Sequence, residues 1–184
     1  MIPNLAKPSI DWDISKKIFI KENVFSDELC DKIIRFGETN VQKGVDKYPH
    51  LFTTSFHSCL LPLENEAHIA LQDALAETID FFKIDIDFVE PYELKKYTTA
   101  DYFGSHIDNY YSIKENIDRK ITMVVQLSDE TTYSGGDLSL LGKIANRKKG
   151  SITAFPSFFP HQVTKLDTGE RWSLIAWLWG PYWK

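Results

Sequence analysis

HQVTKLDTGERWSLIAWLW, residues 161–179, reads as two strands joined by a turn. His161 opens a short strand after Phe158-Phe159-Pro160, and Asp167-Thr168-Gly169 supplies the turn. In the longer strand that follows, Arg171, Ser173, Ile175 and Trp177 leave one face. Trp172, Leu174, Ala176 and Leu178 leave the other. A strand apolar on both faces lies inside a sheet covered on both sides. A guanidinium on such a strand is costly unless it meets an anion. Glu170, the nearest acid in sequence, points the other way.

Outward from this stretch the pattern is of helices first and strands after. Ser26 reads as an N-cap, with Asp27 and Glu28 in the first turn where the helix dipole favours acids. The stripe Leu29, Cys30, Ile33, Ile34 and Phe36 follows, ending near Gly37. A second helix is predicted from Glu64 to Phe82 on the three- and four-residue recurrence of Ala67, Ala70, Leu71, Ala74, Leu75, Thr78, Ile79 and Phe82. Alternation then takes over. Ile84, Ile86 and Phe88 alternate with Asp85 and Asp87, and Ile121, Met123, Val125 and Leu127 alternate with Lys120, Thr122 and Gln126. A short strand is expected at 17–21, and others at 137–141, 150–155, 161–166 and 171–179. The fold class is α+β with a sandwich or jelly roll, in one domain over 1–184 that begins with an arm at 1–15.

Ser105-His106-Ile107-Asp108 puts an imidazole and a carboxylate two residues apart, so on an extended strand both can reach one ion. With 5 histidines and 15 aspartates, chance alone yields about 0.4 such pairs per chain, so the pair is weak by itself. His161 is the best candidate for a third ligand. Two histidines and one carboxylate on one face of an octahedron is the donor set of non-haem Fe(II) oxygenases. If the hairpin centres on Thr168, Arg171 stands opposite Lys165, about 13 Å along the strand from His161 at roughly 3.3 Å per residue. A small diacid could then stretch from a metal at His161 to Arg171, whose planar donors grip a carboxylate bidentately. Ser173 would add a hydroxyl on the same face. His50, His57 and His68 lack a matching carboxylate spacing, and Trp177, Trp179, Tyr182 and Trp183 read as packing aromatics.

Composition removes several alternatives. A net charge of −5 argues against a broad basic face for nucleic acid, and Arg147-Lys148-Lys149 reads as a solvated turn. Cys30 and Cys59 read as small core residues rather than a disulfide or zinc framework. The first fifteen residues lack a signal-peptide pattern, and no apolar run is long enough to span a bilayer, so the expected location is the cytoplasm. Oligomeric state is not readable from the sequence.

Jointly, these residues resemble the Fe(II)/2-oxoglutarate oxygenases, most closely the prolyl 4-hydroxylase-like branch. The resemblance runs from about Phe25 to Pro181. It rests on Tyr97, Phe103, His106 and Asp108; on Arg119, Thr122, Leu127, Ser128 and Gly135-Gly136-Asp137-Leu138; and on Gly150 to Phe155, His161, Gly169, Arg171 and Trp177. It implies a double-stranded β-helix with the N-terminal helices packed on one sheet. It implies that His106, Asp108 and His161 hold Fe(II), and that Arg171, with Tyr97 and Ser173, binds 2-oxoglutarate. O2 would be the oxidant and ascorbate an optional reductant, and a substrate C–H would be hydroxylated with release of succinate and CO2. The substrate would be a prolyl residue in a peptide or protein. The chain departs from the branch in having Arg171 where Lys is usual, and Ala100-Asp101 where a glycine pair is common. The competing readings are a jelly-roll binding module, or a cupin-type metal enzyme that needs no 2-oxoglutarate.

Overall fold

The computed structural model describes residues 13–43, 57–62 and 66–182. Most of the arm read at 1–15 lies outside them, as do residues 44–56 with His50, and Glu64 and Trp183. In chain order a 3-10 turn at Ile14–Lys17 precedes β1 (Phe19–Lys21), α1 (Asp27–Asn40), β2 (Gln42–Lys43), β3 (His57–Leu61) and α2 (Glu66–Phe82). Then come β4 (Phe88–Val89), β5 (Tyr92–Tyr97), β6 (Phe103–His106), β7 (Tyr111–Ser112), β8 (Ile117–Gln126), β9 (Ser134–Gly135) and β10 (Leu138–Leu140). The chain ends with β11 (Lys143–Ile144), β12 (Ile152–Pro156), β13 (His161–Val163), β14 (Leu166–Thr168) and β15 (Arg171–Pro181).

Ser26 caps α1, its hydroxyl accepting from the Leu29 N–H at 3.2 Å. The helix does not stop at Gly37, because that glycine is a contact rather than a terminus. A Cβ there would lie 2.3 Å from the Trp172 ring and 2.7 Å from Leu94, so only glycine lets α1 approach the sheet this closely. Residues 84–87 form no strand, since only Phe88 and Val89 reach a ladder, against β15.

The large sheet runs β1-β12-β8-β15-β5-β3-β2, with β4 and β7 attached, among the described residues. As its double-sided apolar pattern predicts, β15 is central, between β8 and β5. Its outer face (Trp172, Leu174, Ala176, Leu178) joins Leu94, Met123 and Val125 and the buried residues of both helices in one core. Burying each such aliphatic side chain contributes about 1.5–3 kcal/mol. The small sheet, β11-β10-β13-β6, contributes Leu138 and Leu140 to a second core with Val124, Phe155, Ile175 and Trp177 of the large sheet's other face. The molecule is thus a mostly antiparallel, sheet-rich α+β fold of the jelly-roll kind, with its helices on one sheet.

The turn chemistry follows the sequence. Gly135 and Gly136 take φ of 68° and 63°, which L side chains rarely adopt. Residues 145–149 form an irregular connection, but the three cations are individually paired: Arg147 with Asp137 (3.0 Å), Lys148 with Glu22 (2.8 Å) and Lys149 with Asp31 (2.6 Å). No helix among the described residues is long and apolar enough to cross a membrane.

Candidate active site

β6 and β13 pair in the small sheet with His106 directly opposite His161. Asp108 stands beyond the end of β6 rather than on it, so the carboxylate comes from the loop that follows the strand. Its N–H donates to the Ser157 carbonyl at 2.8 Å, which turns the loop back over the large sheet. The result is convergence. The three ligand-type atoms lie within 4.8 Å of one another, with Nε2 of His106 3.5 Å from Oδ1 of Asp108 and Nε2 of His161 3.4 Å from Oδ2.

Both rings are oriented from behind. Nδ1 of His106 lies 2.8 Å from the Gly104 carbonyl, and Nδ1 of His161 lies 3.0 Å from that of Phe159. A carbonyl only accepts, so each Nδ1 carries the proton and, in the neutral ring, Nε2 turns a lone pair inward. Two lone pairs facing a carboxylate repel unless positive charge lies among them. One divalent ion satisfies all three acceptors, and the donor set suits a redox-active first-row metal.

Asp108 is itself aimed. Its Oδ2 accepts from Thr122 Oγ1 and from Trp177 Nε1, each at 2.9 Å. Burial pushes the Asp108 carboxyl up. Hydrogen bonding with both histidines and the charge at His161, which need the rings in their protonated form, together with donation from Trp177, outweigh that, and the group titrates well below the usual carboxylate range. Thr122 and Trp177 are cross-strand partners on β8 and β15. The sequence reading placed Trp177 with the packing aromatics. The signal available was its position on the same face as Arg171, six residues on.

Arg171 is 3% exposed. Its Nε donates to Oε1 of Gln126 at 3.2 Å, and its guanidinium lies 5.5 Å from the centre of the Tyr97 ring. Nη1 is buried without a hydrogen-bond partner. Such an orphan donor carries a desolvation cost, and it fits a carboxylate taken from solution. The expected hairpin does not form. β14 pairs with β9, so the chain changes sheets between His161 and Arg171, and Arg171 stands opposite Tyr97 on β5 rather than opposite Lys165. His161 and Arg171 therefore face one cavity from opposite sheets, a cavity also lined by Tyr97, Lys95, Ser173 and Phe103. A larger groove of about 730 Å³ between α1 and α2 is walled mainly by apolar side chains and, among the described residues, has no converging ligand set. His68 lies at that groove, 2.6 Å from the Tyr92 hydroxyl, and His57 is on β3; neither joins the cluster.

Residues 92–179 match the 2OG-Fe(II) oxygenase superfamily. Over those residues the chain is similar to that superfamily. A PKHD-type hydroxylase from Burkholderia thailandensis is 28% identical over 118 residues, covering 59% of this chain and 52% of that protein. The chain thus spans about half the length of that curated relative. Two solved structures share the fold. The viral collagen prolyl hydroxylase of Paramecium Bursaria Chlorella virus-1 aligns at TM-score 0.70 and 19% identity over 89% of this chain and 96% of that one. A Pseudomonas putida prolyl-4-hydroxylase aligns at 0.69 and 17% identity over 90% and 94%. The superfamily implies Fe(II), 2-oxoglutarate as a small-molecule co-substrate, and O2. The resemblance to the prolyl 4-hydroxylase-like branch read from the sequence is borne out at the level of family and fold.

Proposed function

We propose that the chain is an Fe(II)- and 2-oxoglutarate-dependent dioxygenase, one catalytic domain that hydroxylates a C–H bond while 2-oxoglutarate is converted to succinate and CO2. The observation that carries this reading is a three-acceptor cluster sharing one cavity with a buried, incompletely satisfied guanidinium. When bound, Fe(II) supplies the open coordination positions and redox chemistry that O2 activation needs.

The chain's own groups do the rest. His106 and His161 present Nε2, each ring held by a backbone carbonyl, and Asp108 stays anionic and is aimed by Thr122 and Trp177. Arg171 takes the far carboxylate of the co-substrate through Nη1 while Gln126 fixes Nε. Tyr97 and Ser173, lining the same cavity, offer hydroxyls to that end. Phe103, Val124, Val163 and Ile175 keep water away and strengthen each ionic contact. A binding module or a cupin-type enzyme without a diacid leaves Nη1 of Arg171 unexplained. A prolyl residue in a peptide or protein is the leading substrate, supported by the fold shared with prolyl hydroxylases. A reducing cytoplasm suits the two free cysteines.

Succinate formation in the presence of Fe(II), ascorbate, 2-oxoglutarate and air tests the reading, and a substrate mass gain of one oxygen would identify the target. Succinate should appear with the wild type and vanish with His106→Ala. Undiminished iron-dependent turnover by that variant would overturn the assignment.

A further inference from the structure

The cavity holds a second cation that the proposed reaction does not use. Lys95 leaves β5 on the same face as Tyr97 and lines the wall shared by the histidines and Arg171. Its side chain is only 10% exposed. The ammonium lies 3.4 Å from Glu93 and 4.8 Å from the centre of the Phe103 ring, which itself stacks on His106 at 3.9 Å. Lys95 therefore lines the same cavity as the metal-ligand cluster and Arg171, next to the ring that stacks on His106. In the register of the large sheet it pairs with Ser173, and Ser173 pairs with Gln126 on the far side. Ser173, on the cavity face of β15 two residues from Arg171, thus has Lys95 beside it on the β5 side.

Burying an ammonium is costly even when it is paired, and an apolar chain of similar volume is often as stable or more so. Apolar side chains line the same cavity, Phe103, Val163 and Ile175 among them. Burial opposes the charge on Lys95. Glu93, then Tyr97 and Asp108, outweigh it, so the group titrates above the usual lysine value and is cationic at neutral pH. Each carboxylate of 2-oxoglutarate already has a partner, one at the metal ligands and one at Arg171. A cation held in a reaction cavity at such a cost reads as a recognition element.

Building on the proposed oxygenase reaction, we infer that Lys95 is a specificity-determining residue that binds a carboxylate carried by the substrate and holds it on the β5 side of the metal site. A single negative charge fits better than a phosphate dianion, because Glu93 and Asp108 face the same region and would repel the second charge. The same sheet face continues onto β3, where Ser58 stands opposite Lys95 and Leu60, 63% exposed, stands opposite Glu93. That surface offers the rest of an acidic substrate an apolar and hydroxyl-bearing shelf at the edge of the cavity.

The test uses the full chain with Zn(II), which is redox-inert, and saturating 2-oxoglutarate, so that the ligand cluster and Arg171 are filled. Dissociation constants are measured by calorimetry or ligand-observed NMR for N-acetylated amino acids, proline first, each as the free acid and as the amide. The wild type should bind the acid at least tenfold more tightly than its amide. Lys95→Met should reduce that ratio to about one, and Lys95→Arg should keep most of it. Absence of any preference for the acid in the wild type, lack of binding included, overturns the inference, and so does a preference that survives in Lys95→Met. Succinate release with Fe(II) and no added probe reports separately on the oxygenase reading, so failure of that reading is distinguishable from failure of this one.

Discussion

The indole Nε1–H of Trp177 donates to Oδ2 of Asp108 at 2.9 Å, a hydrogen bond between residues 69 positions apart. Thr122 donates to the same oxygen. Over the face of Trp177, the Arg119 guanidinium packs 4.1 Å from the ring centre while gripping Glu90 through Nε and Nη2 at 2.6 and 2.8 Å. Trp177 is thus clamped, and its donor has one direction to point. Trp177→Phe keeps most of the ring volume and deletes the donor. Groups behind a ligand typically cost 10–100-fold in metal affinity when removed, so Mn(II) or Fe(II) should bind about that much more weakly. Stability should drop by only about 1–2 kcal/mol. Parallel metal titration and urea unfolding check this, and equal metal affinity in the two proteins would refute it.

Removing a ligand should separate folding from metal binding in the same way. His161→Ala deletes a side chain whose inward face meets polar partners, so the sheets should still assemble. Stoichiometric metal binding, read by elemental analysis after dialysis, should be lost. Chelation of the wild type should lower its melting temperature, because a ligand that binds only the folded state stabilises it by mass action. In His161→Ala the chelator should leave the melting curve where it was.

Gly37 shows where the sequence stopped being legible. A glycine after an apolar stripe reads as a helix end, yet α1 continues to Asn40 and the glycine faces Trp172 and Leu94. That use depends on a residue 135 positions away, which no local pattern encodes. Gly37→Ala should therefore reverse the usual ranking. Alanine inside a helix normally gains about 1 kcal/mol over glycine, but here a Cβ at 2.3 Å from the indole should destabilise by about 1–3 kcal/mol. Urea unfolding monitored by circular dichroism measures the sign.

The same division between local and distant information runs through the site. His106, Asp108, His161 and Arg171 were nameable because spacing and strand pattern are local, and the double-sided apolar run placed Arg171 on a central strand. The route by which they meet was not. A hairpin carrying His161 and Arg171 together is the simplest reading of 161–179, whereas β14 pairs with β9 and sends the chain across the sandwich. Thr122 and Gln126 read as the wet side of a half-buried strand because they are polar. They are buried at 1% and 4% exposure because that face turns toward the cavity, which sequence alternation cannot distinguish from solvent.

The Cys30 thiol is pushed up to about 11 by burial. Its folded-state value is raised, so its stabilising contribution is complete below the ordinary thiol range, which starts from 9.0 here. It is lost as pH rises through the folded value. Stability of the wild type should be flat from pH 7 to 8 and should fall between about pH 9 and 11. Cys30→Ala should show a shallower fall on that limb. Alkylation at pH 8 should modify Cys59, which is part-exposed, well before Cys30. Fast labelling of Cys30 in the native protein would contradict its placement in the core.

Arg171 separates charge from geometry at the far end of the cavity. Its Nε is spent on Gln126 and its Nη1 is buried without a partner, so the guanidinium is pre-aimed and its next hydrogen bond must come from a ligand. Arg171→Lys keeps the charge, but the ammonium cannot hold Gln126 and a carboxylate in the same fork. Arg171→Met removes both functions. If the guanidinium receives the diacid, the KM for 2-oxoglutarate should rise by roughly tenfold in the lysine variant and a hundredfold or more in the methionine variant. Metal affinity should stay within about twofold in both, because no metal ligand is touched. Losses of equal size in both variants would mean that the guanidinium's fork geometry, and not its charge, decides binding there. Unchanged KM in the methionine variant would remove Arg171 from the binding site altogether.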